Sequence, residues 1–138
     1  MKIDRFIEAQ MSDHKQVVKE LKKGRKTSCW MWYTFPQIKG LGHSEMAKYY
    51  EIQNRYELRK FVDNDYLSGN LEECIRILLN LKTKNPDKIF GYIDTLKLQS
   101  SMTLFRHSRK FKYLAQRVLD KFFNGDIDYK SEAIIKAL

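Results

Sequence analysis

The chain has 138 residues, of which 43% are hydrophobic and 13% aromatic, and this composition excludes wholesale disorder. It carries 26 Lys and Arg against 17 Asp and Glu, and the resulting formal charge of +9 suits an anionic partner or a solubilising surface. The N-terminus has no apolar signal region, and no run reaches the ~18 apolar residues that a membrane span needs. We therefore expect one cytoplasmic domain over residues 1–138 without a membrane segment.

The first half of the chain contains several segments with helical spacing of apolar residues. The first segment runs from Ile3 to Lys23, where Gly24 is a suitable stop. Ser44 can cap a helix over residues 45–52, and a short helix is predicted over 54–62. Between these segments, residues 29–35 are compatible with either a minor strand or a short buried helix.

The second half is more clearly helical. Its predicted helices cover residues 71–81, a segment beginning at Pro86, residues 94–105, a long helix from Ser108 or Arg109 to Phe123, and residues 131–138. Together the segments predict an all-α fold, a compact single domain of about six to eight helices with at most a minor strand.

The stretch Gly24–Gly42, called here the aromatic stretch, contains both tryptophans of the chain. Arg25 and Lys26 can hold anionic groups, and a tryptophan can stack on a planar ring. Because residues two apart on a helix point to different faces, we expect only one of Trp30 and Trp32 to line a pocket. The alternative is a buried aromatic segment at the centre of the core. Cys29 is expected to be a buried, unreactive thiol.

A second polar segment runs from Gly91 to Phe105. Asp94 is either a helix N-cap or a general base, and Lys97 follows it within about one turn. The hydroxyls of Ser100 and Ser101 either orient a small ligand or permit close helix packing.

Metal and cofactor sites are not predicted. His14, His43 and His107 lack the i, i+4 spacing of helical metal ligands, and Cys29 and Cys74 match no metal motif. Gly40-Leu41-Gly42 is too short to predict a phosphate-binding loop. We therefore expect no metal and no cofactor.

The chain resembles the domain-of-unknown-function 1810 family. The resemblance is carried, in order, by residues 5–10 (RFIEAQ), 24–37 (GRKTSCWMWYTFPQ), 40–44 (GLGHS) and 100–105 (SSMTLF). It implies a mainly α-helical, cytosolic protein and supplies no activity. The family usually has histidine at the position of Cys29. Members are sometimes labelled calpastatin, but that inhibitor is a disordered repeat chain, whereas this composition is globular.

Three functions follow as hypotheses. The first is a domain that binds an anionic nucleotide-like small molecule, or a hydrolase that acts on one with Glu8 or Asp94 as the catalytic acid or base. Its expected ligand-binding residues are Gln10, Arg25, Lys26, Trp30, Trp32, Gln37, Lys97, Ser100 and Ser101. The second is a nucleic-acid-binding module that uses two basic clusters, within residues 19–26 and 106–112. The third is a structural or interaction domain without a ligand.

Overall fold

The computed structural model describes residues 2–138, and within that range the chain forms helices and no strand. The eight helices are α1 (Asp4–Lys22), α2 (Met31–Thr34), α3 (Glu45–Tyr49), α4 (Arg55–Asp63), α5 (Asp65–Asn80), α6 (Pro86–Phe105), α7 (Lys112–Phe123) and α8 (Tyr129–Lys136). The all-α prediction is therefore confirmed, with the helix count at the upper end of the expected range.

Helix boundaries follow from capping chemistry. The Ser44 side chain accepts a hydrogen bond from the Ala47 N–H at the start of α3, as predicted. Pro86 occupies the first turn of α6, where the missing N–H costs nothing. Asn124 adopts the left-handed conformation with φ 55° and ends α7, also as predicted.

Two predicted helix starts are wrong, and one expected N-cap is absent. Helix α5 begins at Asp65 rather than at residue 71, because the Asn64 side chain caps it by accepting from the Leu67 N–H. Helix α7 begins at Lys112, since Ser108 instead forms a turn, donating to the Phe105 carbonyl and accepting from the Phe111 N–H. Asp94 caps no helix, because the break in α6 lies at Gly91 and the helical backbone resumes directly after it, two residues before the start predicted at Asp94.

The core is built by pairing α1 with α5, α6 with α7, and α5 with α7. A chain of fully buried aromatic rings crosses it. Phe61 packs edge-on against Phe6 with ring centroids 5.2 Å apart and lies 5.3 Å from Phe105, which is 5.9 Å from Phe111. Such pairs add about 1 kcal/mol each to the burial of their apolar area.

The aromatic stretch crosses from α1 to the start of α6. The Lys26 N–H donates to the Ile89 carbonyl at 2.7 Å. Further along, Ile38 pairs with Ile52 in one parallel β-bridge, the only strand-like element in the described part of the chain. No helix within residues 2–138 is long and apolar enough to cross a membrane.

Candidate functional site

Two neighbouring clefts lie between the aromatic stretch and α6. The first, called the Trp32 cleft, has a volume of about 590 Å³. It is lined by Lys26, Cys29, Met31, Trp32 and residues 90–94. The second, called the Gln37 cleft, has a volume of about 360 Å³ and includes Gln37, His43, Ser44, Lys97 and Ser100. Ile93 lines both, so the clefts adjoin along one face of α6.

A carboxylate between two ammonium groups is the polar centre of this region. Lys26 Nζ lies 2.8 Å from Asp94 Oδ2, and Lys97 Nζ lies 3.6 Å from Asp94 Oδ1. The three side chains are only 11%, 18% and 23% exposed for Lys26, Asp94 and Lys97 respectively. The group therefore carries a net positive charge in a partly desolvated place, where electrostatic interactions are stronger than in water.

The bend at Gly91 creates one wall of the Trp32 cleft. Gly91 has φ 77° and ψ 165°, a conformation open to glycine and unfavourable for other residues. The bend separates the first turn of α6 from the segment that carries Asp94. It leaves Gly91, Tyr92 and Ile93 exposed along the cleft wall.

Trp32 and Lys97 connect the two clefts. Trp32 is half-buried, and the Lys97 ammonium lies 5.1 Å from its ring centroid, within cation–π range. Lys97 therefore interacts with the indole and with Asp94 while also lining the Gln37 cleft. One side chain can thus respond to a ligand in either cleft.

Glu20 supports the inner side of the aromatic stretch. Its carboxylate is 3% exposed and accepts five hydrogen bonds: from the Thr27 and Ser28 N–H groups, the Ser28 hydroxyl, the Trp30 indole and the Gln16 amide. Burial raises the pKa of Glu20, but these hydrogen bonds outweigh that effect and lower it from 4.5 to about 2. Sequence reasoning missed this residue, because nothing in the helical pattern marks a buried carboxylate.

Glu51 plays the same part at the other end of the stretch. Its Oε2 atom accepts from the backbone N–H groups of Gly40, Leu41 and Gly42 at 3.1, 3.1 and 2.8 Å. The Gly-Leu-Gly segment thus forms an anion-binding nest whose anion is the protein's own carboxylate. The three N–H groups of the nest therefore already have an acceptor in Glu51.

The clefts bring together some of the predicted site residues. Lys26, Trp32 and Asp94 meet in the Trp32 cleft, and Gln37, Lys97 and Ser100 line the Gln37 cleft. Ser100 also donates to Asp128 Oδ2 at 3.2 Å.

Five other predicted residues lie outside both clefts. Glu8 and Arg25 are exposed, Trp30 is 1% exposed with its indole on Glu20, and Ser101 is fully buried. Gln10 is buried because it donates to the Tyr33 carbonyl at 2.8 Å and accepts from Asn70 at 3.0 Å. These contacts make Gln10 and Trp30 parts of the core.

Cys29 is exposed in the Trp32 cleft, and the prediction that it is buried is wrong. The neighbouring Trp30 takes the inward direction, so Cys29 points outward instead. Within residues 2–138, no group of three His, Cys, Asp or Glu side chains is arranged to hold a metal ion.

Comparison with known proteins gives a family and a structural relative. The model for the family described as "Protein of unknown function (DUF1810)" matches residues 1–135. The fold is similar to the crystal structure of the conserved hypothetical protein Rv1873 from Mycobacterium tuberculosis, which is 36% identical, with a TM-score of 0.94 over 97% of this chain and 96% of that one. No curated protein matches. The chain belongs to the DUF1810 family of proteins of unknown function.

Proposed function

We propose that the protein binds a small anionic molecule that carries a planar ring, such as a nucleotide, at the Trp32 and Gln37 clefts. The observation that supports this most directly is the arrangement of Lys26 and Lys97 around Asp94, next to the face of Trp32. A nucleotide needs three kinds of contact, and these side chains provide them: the lysines are the cations, Asp94 is a hydrogen-bond acceptor and Trp32 is a stacking surface.

The lysines would bind the anionic group. Each now contacts Asp94, and because an ammonium group has three N–H donors, each lysine can donate to a phosphate while it keeps its contact with Asp94. Before the ligand arrives, Asp94 keeps the two ammonium groups close together, which reduces the entropy lost on binding. Once the ligand is bound, the same carboxylate can accept a hydrogen bond from a ligand hydroxyl or amino group.

Trp32 would contact the ring. Its side chain is half-buried, so the indole is held in place while part of it faces the cleft. Met31 and Phe90 add apolar lining on the same side. A ring stacked on an aromatic side chain typically contributes about 1–3 kcal/mol to binding.

Hydrolysis has weaker support than binding. Of the two candidate acid–base residues, Glu8 lines neither cleft, and Asp94 contacts two ammonium groups rather than a nucleophile. The Trp32 cleft holds Cys29 at the position where the family resemblance implies histidine. We therefore propose binding as the function of this chain.

Isothermal titration calorimetry with AMP, ADP, adenosine and inorganic phosphate tests the proposal. We expect AMP and ADP to bind more tightly than adenosine or phosphate alone, because only they engage both the lysines and Trp32. Lys97→Gln should weaken AMP binding about tenfold, since it removes one charge-assisted contact.

Lys22→Gln is the matched control, because it removes the same charge from an exposed position in the last turn of α1. It should leave the affinity for AMP unchanged. Absence of binding by all four compounds, or an equal loss of affinity in both variants, would contradict the proposal.

A further inference from the structure

Another cleft lies away from the Trp32 and Gln37 clefts, between α4 and the turn that joins α6 to α7. It has a volume of about 500 Å³ and an apolar floor formed by Leu58 and Val62. Three arginines and one lysine line it, Arg55, Arg59, Arg109 and Lys110, with Asp63 as the one carboxylate of the lining. The cavity thus combines an apolar floor with mostly positively charged lining side chains.

An adjacent cleft extends this surface toward α7. It has a volume of about 330 Å³ and shares His107 with the cleft beside α4. Arg106, Lys112, Tyr113 and Gln116 complete its lining. The surface formed by Arg55, Arg59, Arg106, Arg109, Lys110 and Lys112 is called here the basic strip.

The carboxylates near the basic strip neutralise only part of its charge. Glu132 contacts Arg106 at 3.3 Å and His107 at 2.6 Å, and Glu72 lies 3.6 Å from Lys110. With Asp63, three carboxylates face six Lys and Arg side chains.

Four cations of the strip make no ion pair in the described part of the chain, and one of them, Arg55, donates instead to the Ile135 carbonyl at 3.0 Å. The other three, Arg59, Arg109 and Lys112, are exposed. These side chains can contact a bound anion without first breaking an internal ion pair.

An aromatic side chain lies beside these cations. Tyr113 is 75% exposed, and the Lys112 ammonium lies 5.7 Å from its ring centroid. An exposed ring next to a run of cations is the arrangement that proteins use to stack an unpaired base while they contact its phosphates.

We propose that the basic strip binds the phosphate backbone of single-stranded nucleic acid, with Tyr113 stacking on a base. The strip distributes its cations over two joined clefts, which suits several successive phosphates better than one phosphate group. It shares no lining residue with the Trp32 or Gln37 cleft, so nucleic-acid binding at the strip does not depend on ligand binding at those clefts.

Fluorescence anisotropy with a labelled 16-nucleotide oligo(dT) and the corresponding oligo(U) tests the inference over a range of salt concentrations. The double variant R59Q/R109Q should weaken binding about tenfold or more at low salt. It should also reduce the slope of log affinity against log salt by about 1.4, since each phosphate contact on a single strand contributes about 0.7. Tyr113→Ala should weaken binding at least fivefold without changing that slope.

The double variant K22Q/K23Q is the matched control, because it removes two charges from exposed lysines of the other basic cluster. It should bind as the unmodified protein does. Absence of binding at low salt would overturn the inference, as would equal losses in the two double variants. Binding to vesicles containing phosphatidylserine without binding to either oligonucleotide would also overturn it. Lys97→Gln should leave oligonucleotide binding unchanged, whatever its effect on AMP.

Discussion

The two sides of the aromatic stretch are each organised around a carboxylate, but the partners of these carboxylates differ in kind. On the inner side, Glu20 accepts five hydrogen bonds from neutral donors and is almost fully buried. On the outer side, Asp94 contacts the two ammonium groups of Lys26 and Lys97 at the wall of an open cleft.

This difference distinguishes the side that supports the aromatic stretch from the side at which we propose that a ligand binds. The donors to Glu20 include backbone N–H groups and the indole of a buried tryptophan, so exchanging them for a ligand would require local unfolding. The lysines at Asp94 end in flexible ammonium groups beside a cleft, so a ligand can reach them without any change of the backbone. Buried Trp30 and half-buried Trp32 show the same contrast two residues apart.

The largest expected effect comes from the two tryptophans. Trp30→Ala should lower the free energy of unfolding by about 3–5 kcal/mol, because it leaves a cavity among Phe35 and Phe90 and removes a donor from Glu20. Trp32→Ala should lower it by about 1 kcal/mol, since the ring is only half-buried. Urea denaturation of both variants measures the difference, and equal losses would contradict the division into two sides.

Removing the charge of Glu20 should have the next largest effect. Glu20→Gln places an amide among groups that all donate hydrogen bonds, so at neutral pH we expect a loss of about 2–3 kcal/mol. The matched control is Glu8→Gln, an exposed position on α1 that should change stability by less than about 0.5 kcal/mol. Urea denaturation at pH 7 compares the two, and a neutral Glu20→Gln would show that the carboxylate is not needed.

Low pH should lower the stability of the fold by protonating Glu20. Because the pKa of Glu20 in the folded protein is about 2, below its ordinary value of 4.5, its stabilising contribution is present above pH 4.5. That contribution, about 3 kcal/mol for a shift of this size, is lost as the pH falls from 4.5 toward 2. Urea denaturation at pH 7, 4.5 and 3 should show a steeper fall in stability for the unmodified protein than for Glu20→Gln. Parallel curves would contradict the assignment.

A smaller effect is expected at the nest around Glu51. A Cβ at Gly42 would lie 2.6 Å from the Ala47 Cβ and 3.2 Å from Glu51 Oε2, so Gly42→Ala should cost about 1–3 kcal/mol. Gly69→Ala is the control, because in the exposed face of α5 a Cβ meets nothing within 4 Å. It should raise stability by about 0.5–1 kcal/mol, as alanine is the better helix former. Thermal unfolding distinguishes the two, and the same sign for both would contradict the tight fit at Gly42.

Much of the fold could be predicted because it depends on local patterns. Helical spacing of apolar residues, the Ser44 cap and the Asn124 stop all act within a few residues of one another. The early start of α5 was missed, since it depends on a single capping residue, Asn64, whose effect the apolar pattern does not show.

The site was harder to predict than the fold. Composition drew attention to the two segments that line the clefts, but it could not separate Trp32, which faces a cleft, from Trp30 and Gln10, which are buried. That separation depends on partners distant in sequence, such as Asn70 for Gln10. Glu20 and Glu51 were missed for the same reason, because a buried carboxylate and an exposed one are identical in the sequence.

Fluorescence titration with AMP of variants that each keep one tryptophan tests most directly whether the outer side of the aromatic stretch binds the ligand. The chain has two tryptophans, so Trp30→Phe leaves Trp32 as the single indole, and Trp32→Phe leaves Trp30. We expect a saturable change of emission in Trp30→Phe and none in Trp32→Phe, whose remaining indole is buried against Glu20. A saturable change in Trp32→Phe, or none in either variant, would contradict this expectation.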